Sequence, residues 1–119
     1  MEVKFPEPER MNLIGYFLRD ILRTNLSSEK SQKAAQNLEG AFLINASGME
    51  ATLLFNGGVI EIHQGSFGKI NSSVKGDLNT LLDVVLGANY LGFLSKGKIK
   101  VGGNVFRLLK LMKLLRVDA

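Results

Sequence analysis

Cysteine is absent from this 119-residue chain. That removes disulfides, thiolate metal sites and thiol catalysis in one step, and it fits a reducing compartment. Histidine occurs once, at His63. Without a thiol, a second imidazole or a spaced carboxylate cluster, a lone imidazole cannot build a tight transition-metal site. Glu61 shares its strand face, and a surface histidine is the expectation. Both prolines lie in the charged opening MEVKFPEPERM, which reads as neither a signal peptide nor a membrane span. No apolar run reaches the roughly 18 residues of a bilayer-crossing helix. Serine has neither a G-x-S-x-G setting nor a base partner. The glycines at 57/58 and 102/103 match neither a Walker loop nor a dinucleotide fingerprint. Asp77 and Asp83 fall on different helix faces, so they do not form a carboxylate pair. The expectation is a protein without catalytic residues, metal ligands or a cofactor.

What is present describes a globular chain, with 45% apolar and 22% charged residues. A chain of this length buries about two thirds of its unfolded surface, enough for an independent core. One domain over residues 1–119 is expected, with 1–8 as a loose lead-in. The net charge is +4, unevenly spread. Residues 96–119 hold seven basic side chains (Lys96, Lys98, Lys100, Arg107, Lys110, Lys113, Arg116) against Asp118 alone, whereas the first 95 hold 8 basic and 10 acidic. Such asymmetry suits an anionic partner surface, whether lipid headgroups, nucleic acid or an acidic protein; a solvated helix face is the plainer explanation.

Apolar pairs at Leu13/Ile14, Phe17/Leu18 and Ile21/Leu22 predict an amphipathic helix from Glu9 to about Asn25. Ser27 or Ser28 can cap a more polar helix that runs to about Leu38. The period then changes to 2. Residues 41–46, 50–55 and 59–64 read as strands, and Asn56-Gly57-Gly58 is a strong hairpin turn. A fourth, weaker strand begins at Ile70. Asp77 can cap a helix carrying Leu78, Leu81, Leu82, Val85 and Leu86, which Gly87 stops. Residues 88–95 read as a short helix, Gly97 to Val101 as a half-buried strand, and Gly102-Gly103-Asn104 as the turn into a last, very apolar helix. Strands in a run with helices at both ends make this an α+β fold, a mostly antiparallel sheet with helices across one face.

Three segments carry a resemblance. They are Leu81-Leu82-Asp83-Val84-Val85-Leu86-Gly87, Gly97-Lys98-Ile99-Lys100-Val101-Gly102-Gly103-Asn104, and Leu108-Leu109-Lys110-Leu111. In this order and spacing they resemble the sterol carrier protein-2 family of lipid-binding domains, over roughly Leu38 to Leu115. The Asn56 to Gly65 hairpin is similar to the family's second hairpin. The resemblance implies a five-stranded sheet and helices that enclose an apolar tunnel for lipids, fatty acyl groups or sterols. The chain departs from the pattern at Val74-Lys75-Gly76-Asp77, where members usually have T-M-S. It also has a longer, more hydrophobic lead helix and no peroxisomal tripeptide at its end.

The tunnel wall is expected to use Leu81, Leu82, Val85, Tyr90, Leu91, Phe93, Leu94, Val101, Phe106, Leu109 and Met112, because these helices hold more apolar positions than one sheet face needs. Arg107, Lys110, Lys113 and Arg116 spiral across about half of the last helix and are the candidates for contact with an anionic membrane or a partner. The function expected is cytoplasmic, non-catalytic binding and transfer of a lipid or fatty-acyl ligand. The alternative is an interaction module whose last helix buries itself in a homodimer. Nucleic acid is not expected as a partner, because the basic residues lack interleaved exposed aromatics.

Overall fold

The alternating segments of the chain's middle become consecutive hairpins. The computed structural model describes residues 2–6, 11–87 and 90–116, and for Tyr90 and Leu91 the backbone alone. Strands β2 (Gly40–Ala46), β3 (Met49–Asn56) and β4 (Val59–Gln64) pair antiparallel in turn. The chain then crosses to the far side of β2, where β5 (Ile70–Gly76) pairs parallel with it, and β6 (Ile99–Gly103) pairs antiparallel with β5.

A short β1 (Glu2–Lys4) lies parallel along the free edge of β4, with Val3 opposite Ile60. The sheet therefore has six strands in the order β1-β4-β3-β2-β5-β6 and is mixed, rather than five-stranded and mostly antiparallel. Part of the expected loose lead-in is strand. Three residues cannot display a period, and the pairing exists only because β4 offers an unpaired edge.

Alternation assigns the sheet's two faces. Phe42, Ile44, Leu53, Phe55, Ile60 and Ile62 point to the inner face and are at most 4% exposed. Phe42 and Phe55 meet edge to face with centroids 5.5 Å apart, the arrangement ring quadrupoles favour. All the helices that pack on the sheet lie on this face. They are α1 (Leu13–Asn25), α2 (Glu29–Gln36), α3 (Leu78–Val85), α4 (Tyr90–Ser95) and α5 (Val105–Leu115). Helix α1 buries Ile14, Leu18 and Leu22 at 3.6-residue spacing. Its start is fixed by Asn12, whose Oδ1 accepts from the Gly15 N–H at 3.1 Å while its Nδ2 donates to the Glu50 carbonyl at 2.9 Å. Residues 7–10, where the first helix was expected to begin, lie outside the described residues, as do 88 and 89 before α4.

Other details differ from the expectation. Asp77 sits at the N-cap of α3 in extended backbone, but its side chain makes no capping bond. Ser47 Oγ accepts from the Leu78 N–H instead, at 2.8 Å, because the β2–β3 turn lies against this helix end. Strand β6 continues to Gly103, since Gly102 and Gly103 still pair with Ser73 and Ser72. His63 is not an open surface residue. On the outer sheet face its Nε2 lies 2.8 Å from Glu61 Oε1, and the Phe67 ring stacks on it with centroids 3.6 Å apart.

Candidate functional site: two apolar cavities that meet at Met112

Between the inner sheet face and the helices, the side chains leave two cavities. The first lies among α1, α3, α5 and the β2–β5 pair, with an interior volume of about 60 Å³. Phe17 and Ile21 of α1 face Leu81, Leu82 and Val85 of α3 across it, over a floor of Ile44 and Val74. The second, of about 90 Å³, lies between α5, β6 and the end of α4, walled by Leu94, Val101, Val105 and Leu109. Met112 contributes to both walls. Among the described residues each cavity is lined by hydrocarbon side chains and the Met112 thioether alone.

The local sequence explains why the space stays open. On α5, Leu108, Leu111, Leu114 and Leu115 form the buried arc. Met112 and Leu109 lie beside that arc and are only half-buried. Helix α3 buries just Val84 fully, so its other apolar residues line space rather than fill it. No buried side-chain nitrogen or oxygen among the described residues lacks a hydrogen-bond partner. Among the described residues the one buried hydroxyl near this layer, that of Ser72, donates to the Asn104 carbonyl at 2.7 Å. Among the described residues nothing polar is left aimed into either cavity, and hydrocarbon is the chemistry their lining accommodates.

Of the residues expected in the wall, Leu81, Leu82, Val85 and Met112 line the first cavity, and Leu94, Val101, Leu109 and Met112 the second. Phe93 packs against the core without lining either, with Lys98 Nζ 6.0 Å from its ring centroid. Phe106 is a correction. It is 81% exposed, because on α5 it sits opposite the buried Leu108–Leu115 arc. The side chains of Tyr90 and Leu91 fall outside the described residues. Sequence reasoning missed Phe17, Ile21, Ile44 and Val74; the paired apolar positions of α1 were a signal of excess, but not of where that excess faces.

The basic residues separate in space. Lys110 and Lys113 are exposed. Arg107 turns the other way, its Nη1 donating to the Glu39 carbonyl at 3.4 Å. The Arg116 guanidinium lies over Gly87, within 3.2 Å of where a Cβ there would stand, against the carbonyl end of α3. No group of three His, Cys, Asp or Glu residues among the described residues could hold a metal ion. No helix among them is long and apolar enough to cross a membrane.

The model of the SCP-2 sterol transfer family matches residues 18–116. This chain belongs to that family. Membership carries a general capacity to bind and transfer lipids, and the match reaches further toward the N-terminus than the motifs did, into α1. No curated protein matches the sequence. Solved structures with the same fold include the ubiquinone synthesis protein UbiJ-SCP2, at a TM-score of 0.72 and 15% identity over 95% of this chain and 94% of that one. Sterol carrier protein 2 from Yarrowia lipolytica, in its apo form, aligns with a TM-score of 0.65 and 20% identity over 87% of each chain. Palmitated SCP2L2 from Aedes aegypti aligns with a TM-score of 0.64 and 18% identity over 91% of this chain and 97% of that one.

Proposed function

We propose that the chain acts as a single, non-catalytic domain that binds, and passes on, a lipid or fatty-acyl ligand held between its helices and sheet in the cytoplasm. The observation that carries this reading is Met112, a flexible, unbranched side chain standing as the partition between two hydrocarbon-lined cavities. Pockets for organic ligands usually measure about 300–1,000 Å³, so neither cavity holds a lipid tail as it stands. Rotation of Met112 joins them, and displacement of α4, bracketed by Gly87 and Gly97, widens the result.

Burying one methylene contributes about 0.8 kcal/mol. A twelve-carbon tail then gains on the order of 10 kcal/mol before the several kcal/mol lost to association and ordering. Micromolar binding needs no polar anchor, and none among the described residues faces the cavities. The same arithmetic leaves little discrimination between tails of similar length. The reading names two ligand classes: a fatty acyl chain, of the kind in the palmitated neighbour, and an isoprenoid, the kind of tail that ubiquinone bears.

The test begins with native mass spectrometry of protein purified from cells, then solvent extraction. Uptake of a fluorescent fatty acid follows, with competition by an isoprenoid alcohol. Saturable uptake that Leu82→Trp abolishes, by filling the first cavity, supports the reading. Protein that is consistently empty and ignores both probes ends it.

A further inference from the structure

The face of α5 that turns away from the core has a composition that lipid uptake does not explain. Phe106, at 81% exposure, is the most exposed large apolar side chain among the described residues. Lys110 and Lys113 follow it at i+4 and i+7, and on a helix of about 100° per residue the three fall within an arc of about 60°. Neither lysine is ion-paired among the described residues. Beside this arc, Val105 at 44% exposure and Leu109 lead into the second cavity, whose wall they form, and Leu94 stands at its other side with 37% exposure.

Charge extends the pattern. From residue 84 to residue 117 the sequence holds seven basic residues and no acidic one, although the rest of the chain is net acidic. A single exposed Phe is unremarkable on a soluble surface. An exposed Phe between lysines, in a region stripped of carboxylates and next to an apolar opening, is not. Lysine stems cover apolar surface while their ammonium groups reach phosphates, and an aromatic ring suits the depth of the headgroups.

We propose that this face of α5 docks on an anionic lipid bilayer, with Phe106 inserted among the headgroups, Lys110 and Lys113 on lipid phosphates, and the second cavity opened toward the membrane. The delivery step rests on the lipid-binding reading above; the docking itself does not. Arg107 and Arg116, engaged by Glu39 and the end of α3, add to the field without making the contact.

The experiment is co-sedimentation with phosphatidylcholine vesicles, with and without phosphatidylglycerol, across a range of salt. Wild type is expected to bind the anionic vesicles and to release them as salt rises. Each lysine near such a surface is worth about fivefold, so Lys110→Glu with Lys113→Glu should weaken binding by well over tenfold. Phe106→Ser should weaken it several-fold with little change in salt dependence. Lys75→Glu with Lys100→Glu, which alters net charge equally on the opposite sheet face, should weaken it much less.

Equal binding to both vesicle types overturns the proposal, as does an equal loss from the two charge reversals. So does a dimer, seen by light scattering, that Phe106→Ser turns into a monomer while vesicle binding stays unchanged. Uptake of a fluorescent fatty acid from solution separates the two readings. If the α5 variants lose vesicles but keep uptake, docking stands apart from binding. A wild type that binds vesicles but takes up nothing sinks only the carrier function.

Discussion

Asn25, the last residue of α1, holds the end of α5: its Nδ2 donates to the Leu114 carbonyl at 2.7 Å and lies 3.2 Å from that of Arg116. The final carbonyls of a helix have no partners within it, and those of α5 end against α1 rather than in open water. One amide thus joins two walls of the first cavity, Phe17 and Ile21 on α1 to Met112 and Leu115 on α5. Asn25→Ala leaves a part-buried acceptor unsatisfied and should cost about 1–2 kcal/mol. Urea unfolding reads the stability. Hydrogen exchange should quicken at 112–116 while the β2–β3 ladder keeps its protection.

In the proposed carrier, Met112 sets the size of the ligand space. Met112→Ala removes the partition, so the two cavities become one. Because the side chain is only half-buried, the stability cost should fall at or below the lower end of the range for Met→Ala, about 2 kcal/mol. Uptake should extend to longer acyl chains, each added methylene being worth up to about 0.8 kcal/mol until the joined space is full. Met112→Phe should shorten the longest chain accepted. A competition series from short to long fatty acids checks both, and an unchanged length profile in the two variants would remove Met112 from the site.

How much of this was legible in the sequence depends on the range of the interaction. Period-2 alternation and the Asn56-Gly57-Gly58 turn placed β2 to β4, because hairpin register is a local property. A serine cap at 27 or 28 was legible for the same reason, and Ser28 makes it, with its Oγ accepting from the Ser31 N–H at 3.2 Å. What could not be read depends on distant chain. The parallel partner of Glu2–Lys4, the Ser47 hydroxyl at the start of α3, and the α1 side chains in the first cavity have no local pattern. Phe106 was misplaced for a related reason. Every position from Val105 to Leu115 between the basic residues is apolar, so the sequence defined a wide arc on α5 but not which edge the core would leave uncovered.

The outer face of the sheet offers a control. Thr52 is fully buried there because the loop after β4 folds back over it: its Oγ1 donates to the Gly65 carbonyl at 2.7 Å and accepts from the Phe67 N–H at 3.1 Å. Phe67 then stacks on His63, ring planes 2° apart. Phe67→Ala should cost about 1 kcal/mol, the scale of one aromatic pair, by exposing the imidazole and loosening that loop. Lipid uptake should not change, since both cavities lie on the opposite face. A variant that unfolds little yet loses uptake would show that the two faces communicate.

Two glycines with positive φ separate backbone strain from crowding. Gly57, in the β3–β4 turn, has φ 62°, and a Cβ added there meets nothing within 4 Å. Gly57→Ala therefore carries only the left-handed penalty, about 1–2 kcal/mol. Gly103, at the end of β6, has φ 74°, and its added Cβ would collide with the Asn71 carbonyl, which is backbone and cannot swing aside. That carbonyl also accepts from the Asn104 N–H at 2.9 Å, and Asn104 in turn caps α5 by accepting from the Arg107 N–H at 3.1 Å. Gly103→Ala must move β6 away from β5 or lose the bond that sets the start of α5. It should cost at least about 3 kcal/mol, a large share of the 5–15 kcal/mol typical of a domain. Thermal unfolding of the two variants side by side measures the difference. The displaced helix also forms walls of both cavities, so uptake by any Gly103→Ala protein that folds should fall, whereas Gly57→Ala should bind as wild type does.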